Sequence, residues 1–222
     1  YKPVNAVIIN NIFKNCNEAI YFDTGVDIKI EGNQFYDCHV GILAGNSENI
    51  SIIHNYFTGE ANLNNGSQLN GPSHSSAPSS IRLYGKNGII AENIFMNITG
   101  HGTLITVDNY YKEGTSIIGN YFVNNDIINN ESSNYGNSLI AGSFLDNAEI
   151  SNNYFANNNM NGGSMFHLHQ FFSEIKDNVF YSNNGTVFLF EDYYRNHDFI
   201  LNNNQISDIK SLETGKVQHV KD

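Results

Sequence analysis

Tryptophan is absent from this 222-residue chain, proline occurs three times and cysteine twice. Lys and Arg together number 11 against 22 Asp and Glu, which leaves a formal charge of -11. So few cations argue against nucleic acid or an anionic membrane surface as partner, since both reward Lys and Arg. The sequence holds no apolar run long enough to span a bilayer, so membrane insertion is not expected, and no basic-then-apolar targeting segment. Walker, GxSxG and clustered CxxC motifs are also missing. Nucleotide, serine-hydrolase and zinc-thiolate chemistry therefore have no residues to stand on.

What the chain has in excess is Asn, and the Asn residues recur in a pattern. The triplet Asn33-Gln34-Phe35 reads Asn11-Ile12-Phe13 upstream and Asn55-Tyr56-Phe57 downstream, 22 residues away in each direction. It returns as Asn93-Ile94-Phe95, Asn120-Tyr121-Phe122, Asn153-Tyr154-Phe155, Asn178-Val179-Phe180 and a degenerate Asn204-Gln205-Ile206. A short repeat flanked by strand-like residues is one coil of a solenoid. The expected fold is all-β: a right-handed parallel β-helix of about eight coils, one domain over residues 1–222. At about 4.8 Å per coil the rod is roughly 38 Å long. Asn tolerates left-handed backbone, so the triplet Asn is expected at a sharp corner, with the next residue outward and the aromatic one inward. No coil buries its apolar side alone; the stack shares one core. The chain opens at Tyr1 inside a coil, which reads as a mature product or a piece of a longer chain.

Two insertions interrupt the stack, at about 58–79 and 123–137. Loops of that length are usually functional or disordered. Both enter just before the second strand of a coil, whose residues alternate inward and outward. The expected inward set is Ile20 and Phe22, Ile42 and Ala44, Ile81 and Leu83, Leu104 and Thr106, Leu139 and Ala141, Phe166 and Leu168, Phe188 and Phe190. The outward set is then Tyr21 and Asp23, Leu43 and Gly45, Arg82 and Tyr84, Ile105 and Val107, Ile140 and Gly142, His167 and His169, Leu189 and Glu191. On this register the middle of the outward stripe is apolar, and the insertions are placed to fence it into a groove.

The stripe carries the candidate chemistry. His167 and His169 share a face, with Glu191 beside His169 one coil on and Gly142 on its other side. Such a cluster suits an acid/base pair or two to three ligands of a transition metal; as plain surface residues the same groups make only a modest ion pair. Arg82 suits the carboxylate of a uronic acid and Tyr84 a sugar ring; both also read as decoration beside the long loop. Tyr21, Asp108, Tyr110 and Tyr193 are further candidates for substrate contact, though the paired aromatics serve equally as core. His101 sits between Gly100 and Gly102, where backbone can approach a ligand closely or simply turn. No cofactor is fixed by the sequence; a divalent metal such as calcium is the open possibility.

Cys16 and Cys38 occupy the same place in adjacent coils, about 5 Å apart at Cα, which suits either a disulfide or a pair of stacked thiols. The five Asn-X-Ser/Thr sequons, at Asn49, Asn65, Asn97, Asn130 and Asn184, are about the number chance supplies in a chain with 38 Asn.

The eight Asn-X-aromatic corners resemble those of the right-handed parallel β-helix superfamily of pectate lyases, over essentially the whole chain. A local likeness links Gly41–Ile50 and Ser80–Gly85 to the alginate lyase and chondroitinase B family. There Arg82 matches the family's Arg, while Asn46 stands at its Lys. Gly100-His101-Gly102 is similar to a polygalacturonase motif whose paired Asp residues this chain lacks. The resemblance implies an extracellular or cell-surface protein with a polysaccharide partner, either cleaved as by a lyase or glycoside hydrolase or only bound. The rival expectation is a non-catalytic structural or adhesin-type rod.

Overall fold

The computed structural model describes residues 2–61, 79–108, 114–128, 137–144, 149–171, 174–192, 200–209 and 215–219. Their 24 strands pair throughout in parallel, each strand with its counterpart one coil away. The architecture is a right-handed parallel β-helix. Each coil runs through three sheets. In the first coil a lead strand Val7–Ile9 is followed by a ladder strand Ile12–Lys14 and a face strand Glu18–Phe22. In the second the corresponding strands are Val26–Glu31, Gln34–Tyr36 and the start of Val40–Ile53, which bends on into the next lead strand.

The ladder sheet explains the Asn repeat. Asn11, Asn33, Asn55, Asn93, Asn120, Asn153, Asn178 and Asn204 form one column. At each step the Oδ1 of the later Asn accepts from the backbone N–H of the earlier at 2.9–3.1 Å and from its Nδ2 at 3.0–3.1 Å. The second Nδ2 proton goes to the carbonyl of an Ile in the preceding coil, as from Asn93 to Ile52 and from Asn120 to Ile90, both at 2.9 Å. A buried corner would otherwise leave these backbone groups unsatisfied. The left-handed position is not the ladder Asn itself, contrary to expectation. It is the residue before it: Asn10, Gly32, His54, Glu92, Gly119, Asn152, Asp177 and Asn203 all have φ of 51–64°. The Asn is reserved for its side-chain amide, which must point inward along the stack, and the neighbour takes the turn.

Beside the Asn column runs a column of rings, Phe13, Phe35, Phe57, Phe95, Phe122, Phe155 and Phe180. Neighbours stack at centroid distances of 4.6–5.1 Å with planes within 10° of parallel. The intervening residues Gln34, Ile94 and Tyr121 are exposed, so the in-out order of the triplet holds. A second Asn column was not foreseen. Asn125, Asn158 and Asn183 repeat the same bonds, with Ile98 N–H donating to Asn125 Oδ1 at 3.0 Å. It moves the start of the second insertion: Asp126–Ile128 is a strand paired with Thr99–His101, not part of a loop. The strand Gly215–His219 adds a further rung beside Phe188–Asp192.

The face sheet shifts by one residue from the expected register in the fourth and fifth coils. Ile105 pairs with Ile81 and Ile140, Val107 with Leu83 and Gly142. Ile105, Val107 and Ile140 are fully buried core residues; Ile105 and Ile140 stand in line with Ile20, Ile42 and Ile81, and Val107 with Ala44 and Leu83. The apolar outward stripe therefore does not exist; its members fill the interior, and Thr106 and Ala141 take the outward places. Gly142 falls at an inward turn with φ of 134°, where a Cβ would lie 1.6 Å from the Val107 carbonyl oxygen. Only glycine fits there.

Candidate functional site

With the register corrected, the outward side of the face sheet carries two neighbouring columns. The first is Tyr21, Leu43, Arg82, Thr106, Ala141, His167 and Leu189. The second, two residues further along each strand, is Tyr84, Asp108, Ser143, His169 and Glu191. Adjacent members are about 4.8 Å apart at Cα, so three steps from Arg82 to His167 span about 14 Å.

The structure thus brings most of the expected residues onto one surface. Arg82, His167 and Tyr21 share a column, and Tyr84, Asp108, His169 and Glu191 share the next. The pairing of His169 with Glu191 is as expected, but its other neighbour is Ser143, because Gly142 lies opposite Leu168. Thr106 and Ser143 were missed, and both follow from the same one-residue shift. His101 is off this surface: it ends the strand Ile94–His101 opposite Ile128, before the face strand begins. Tyr110 and Tyr193 lie outside the described residues, as do the side chains of His101, Asp108, His169 and Glu191 and most of the first insertion.

The columns are not a bare wall. Leu43, Arg82, Thr106, Ala141 and His167 are all at least nine-tenths buried although they face away from the core, whereas Tyr21 is 42% exposed. The surface is covered through its middle and opens at the first coil. Burial pulls the Arg82 guanidinium below its ordinary value, and the neighbouring Tyr84 and Glu18 act in the opposite direction. Arginine remains charged under such shifts, so the covered face keeps a cation on its floor. At the open end the Tyr21 hydroxyl donates to Asp23. That bond, with the nearby charges of Asp23 and Glu18, pushes the phenol up to about 12. Among the described residues no three His, Cys, Asp or Glu side chains converge as a metal site.

The two cysteines are free thiols, both half-buried. Each Sγ donates to the carbonyl two residues earlier in its own coil, Cys16 to Lys14 and Cys38 to Tyr36, both at 3.4 Å. Burial pushes the Cys38 thiol up to about 11. Of the two arrangements the sequence allowed, the chain shows stacked thiols.

A family model described as periplasmic copper-binding protein (NosD) matches residues 1–81. No curated protein matches the chain. Among solved structures it is similar to trypsin-treated QnrB1, a plasmid-mediated fluoroquinolone resistance protein. The identity there is 11%, over 96% of this chain and 92% of that one, with a TM-score of 0.24.

Proposed function

We propose that this β-helix is an extracytoplasmic binding module that holds an acidic polysaccharide along the outward side of its face sheet. The observation that carries the reading is Arg82 buried on the outward side of the face sheet, in register with Thr106 and, two coils further on, His167. A guanidinium on a covered surface favours a bidentate anionic group, such as a uronate carboxylate. Tyr84 beside it offers a ring face to a sugar, and the face opens to solvent at Tyr21 in the first coil. The location is supported by the word periplasmic in the description of the family model that matches residues 1–81. The parallel β-helix fold by itself leaves the chemistry to these residues.

The test is a panel of acidic and neutral glycans, read for binding, for unsaturated products and for new reducing ends. Acidic glycans are expected to bind without turnover, and Arg82→Ala to weaken binding at least tenfold while Arg82→Lys keeps part of it. Turnover abolished by His169→Ala would replace the binding module with an enzyme. Failure of every glycan to bind would leave a structural rod.

A second reading concerns residues 1–81 alone. The matching family model is described as copper-binding, and the two stacked thiols of this segment are soft donors of the kind copper takes. On this reading the first coils hold copper, independently of the face sheet.

A further inference from the structure

We propose that Cys16 and Cys38 together form a two-coordinate site for a soft monovalent metal ion, Cu(I) before others. The proposal deepens the second reading above and rests on it, but it names the ligands, the oxidation state and the coordination number.

The argument begins with register. Lys14 pairs with Tyr36, and beyond them His39 N–H donates to the Cys16 carbonyl at 2.8 Å, so the two cysteines stay level from coil to coil. Both thiols make the same 3.4 Å contact to the carbonyl two residues back. Equal contacts mean equal side-chain directions, so the sulfurs are displaced by about one coil rise, roughly 4.8 Å. A disulfide needs its sulfurs about 2 Å apart and its Cβ atoms near 3.8 Å, which in-register parallel stacking does not provide. A metal held between the sulfurs does match. With a metal–thiolate bond of about 2.3 Å, the zinc value, two bonds end to end span about 4.6 Å.

The surroundings select the ion. Among the described residues no three His, Cys, Asp or Glu side chains come together, so a tetrahedral zinc site or an oxygen-rich calcium site lacks its ligands. Two thiolates alone suit a soft ion that accepts low coordination. A cavity of about 20 Å³, room for one water, borders Cys38, and the rings of Phe35 and Phe57 form part of its wall. The Cys38 sulfur thus sits at the edge of the apolar interior, while both cysteines remain partly exposed, which leaves a path for the ion. Binding is redox-neutral: one Cu(I) replaces the two thiol protons, both protons leave to solvent, and the product carries one net negative charge.

The experiment is an anaerobic titration of the full chain with Cu(I) in competition with a chromophoric Cu(I) chelator, with Ag(I) as a redox-silent second probe. The expected result is one ion per chain, both thiols shielded from a thiol reagent, and sulfur-only two-coordinate geometry by X-ray absorption. Binding should tighten as pH rises, because protons are displaced. Cys16→Ser and Cys38→Ser should each weaken it at least a hundredfold with the β-sheet circular dichroism unchanged. Three results would overturn the site: Zn(II) bound as tightly as Cu(I), one Cu(I) per chain retained by the double Cys16→Ser, Cys38→Ser variant, or rapid disulfide formation in the folded protein. Retention by the double variant would leave the copper reading standing with other ligands. Absence of any Cu(I) binding by the unaltered chain would remove both.

Discussion

The ladder sheet and the face sheet are built on the same rod, yet they use repetition in opposite ways. In the ladder sheet the two inward columns keep one residue type, Asn or Phe, nearly from end to end, and each amide is matched to the backbone above and below it. In the face sheet the register is as strict, but the outward columns change from Tyr to Leu, Arg, Thr, Ala and His along their length. A column that repeats maintains the stack. A column that varies while its backbone stays in register is free to hold chemistry, and the buried Arg82 lies in such a column.

If repetition marks the scaffold, breaking a central rung should cost far more than breaking an end rung. Asn120→Ala leaves the buried Asn93 N–H and Nδ2 without their acceptor and the Ile90 carbonyl without its donor. Each buried polar group left unmet costs about 1–3 kcal/mol, so a loss of about 3 kcal/mol or more is expected from denaturant unfolding. Asn11→Ala, at the end of the same column and exposed, should cost under about 1 kcal/mol. Equal losses at the two positions would break the comparison. Phe122→Ala in the stacked rings is expected to cost about 3–5 kcal/mol.

Next in size is the pair that tests the register. Ile105→Asp places a carboxylate in the fully buried core and should prevent folding or destabilise by several kcal/mol. Thr106 is also buried, but it lies outward beside the Arg82 cation, so Thr106→Asp should destabilise less and leave a folded rod. The reverse order would restore the register in which Ile105 points outward.

How far the sequence could be read follows from the same contrast. The coil count, the inward aromatic and the stacking of Cys16 on Cys38 were legible because Asn-X-Phe recurs with side chains pointing in fixed directions. The left-handed residue was not, because Asn10, Gly32, His54 and Glu92 have no common type; the turn tolerates several, and only backbone geometry shows it. The face register was legible as alternation but not as phase. Thr103-Leu104-Ile105-Thr106-Val107 offers apolar residues at both parities, and Leu104 and Ile105 do both lie in the core cluster. A phase error of one exchanges the two sides of a strand. That exchange produced the apolar stripe and hid Thr106 and Ser143. The second Asn column was visible in hindsight as the doublets Asn124-Asn125 and Asn157-Asn158, each of which pairs a left-handed residue with a ladder amide.

The smallest effect sharpens the comparison at the open end of the face. Tyr21 is raised to about 12 by its bond to Asp23, from the 10.0 of an ordinary phenol. For an acid the raised value means that the folded state favours the protonated phenol. The contribution to stability is therefore whole below pH 10 and lost as pH climbs from 10 towards 12. Tyr21 is substantially exposed, so solvent screening keeps that contribution small. Tyr21→Phe should remove one late-titrating phenol from the ultraviolet titration and flatten the alkaline fall in stability slightly, with no effect near neutral pH. Loss of amplitude from the main phenol phase, with the late phase unchanged, would mean that Tyr21 ionises with the other phenols and that the bond to Asp23 does not hold in solution. The open end of the face would then lack a polar contact that helps to fix a ring there, and the first charged group of the column would be Arg82.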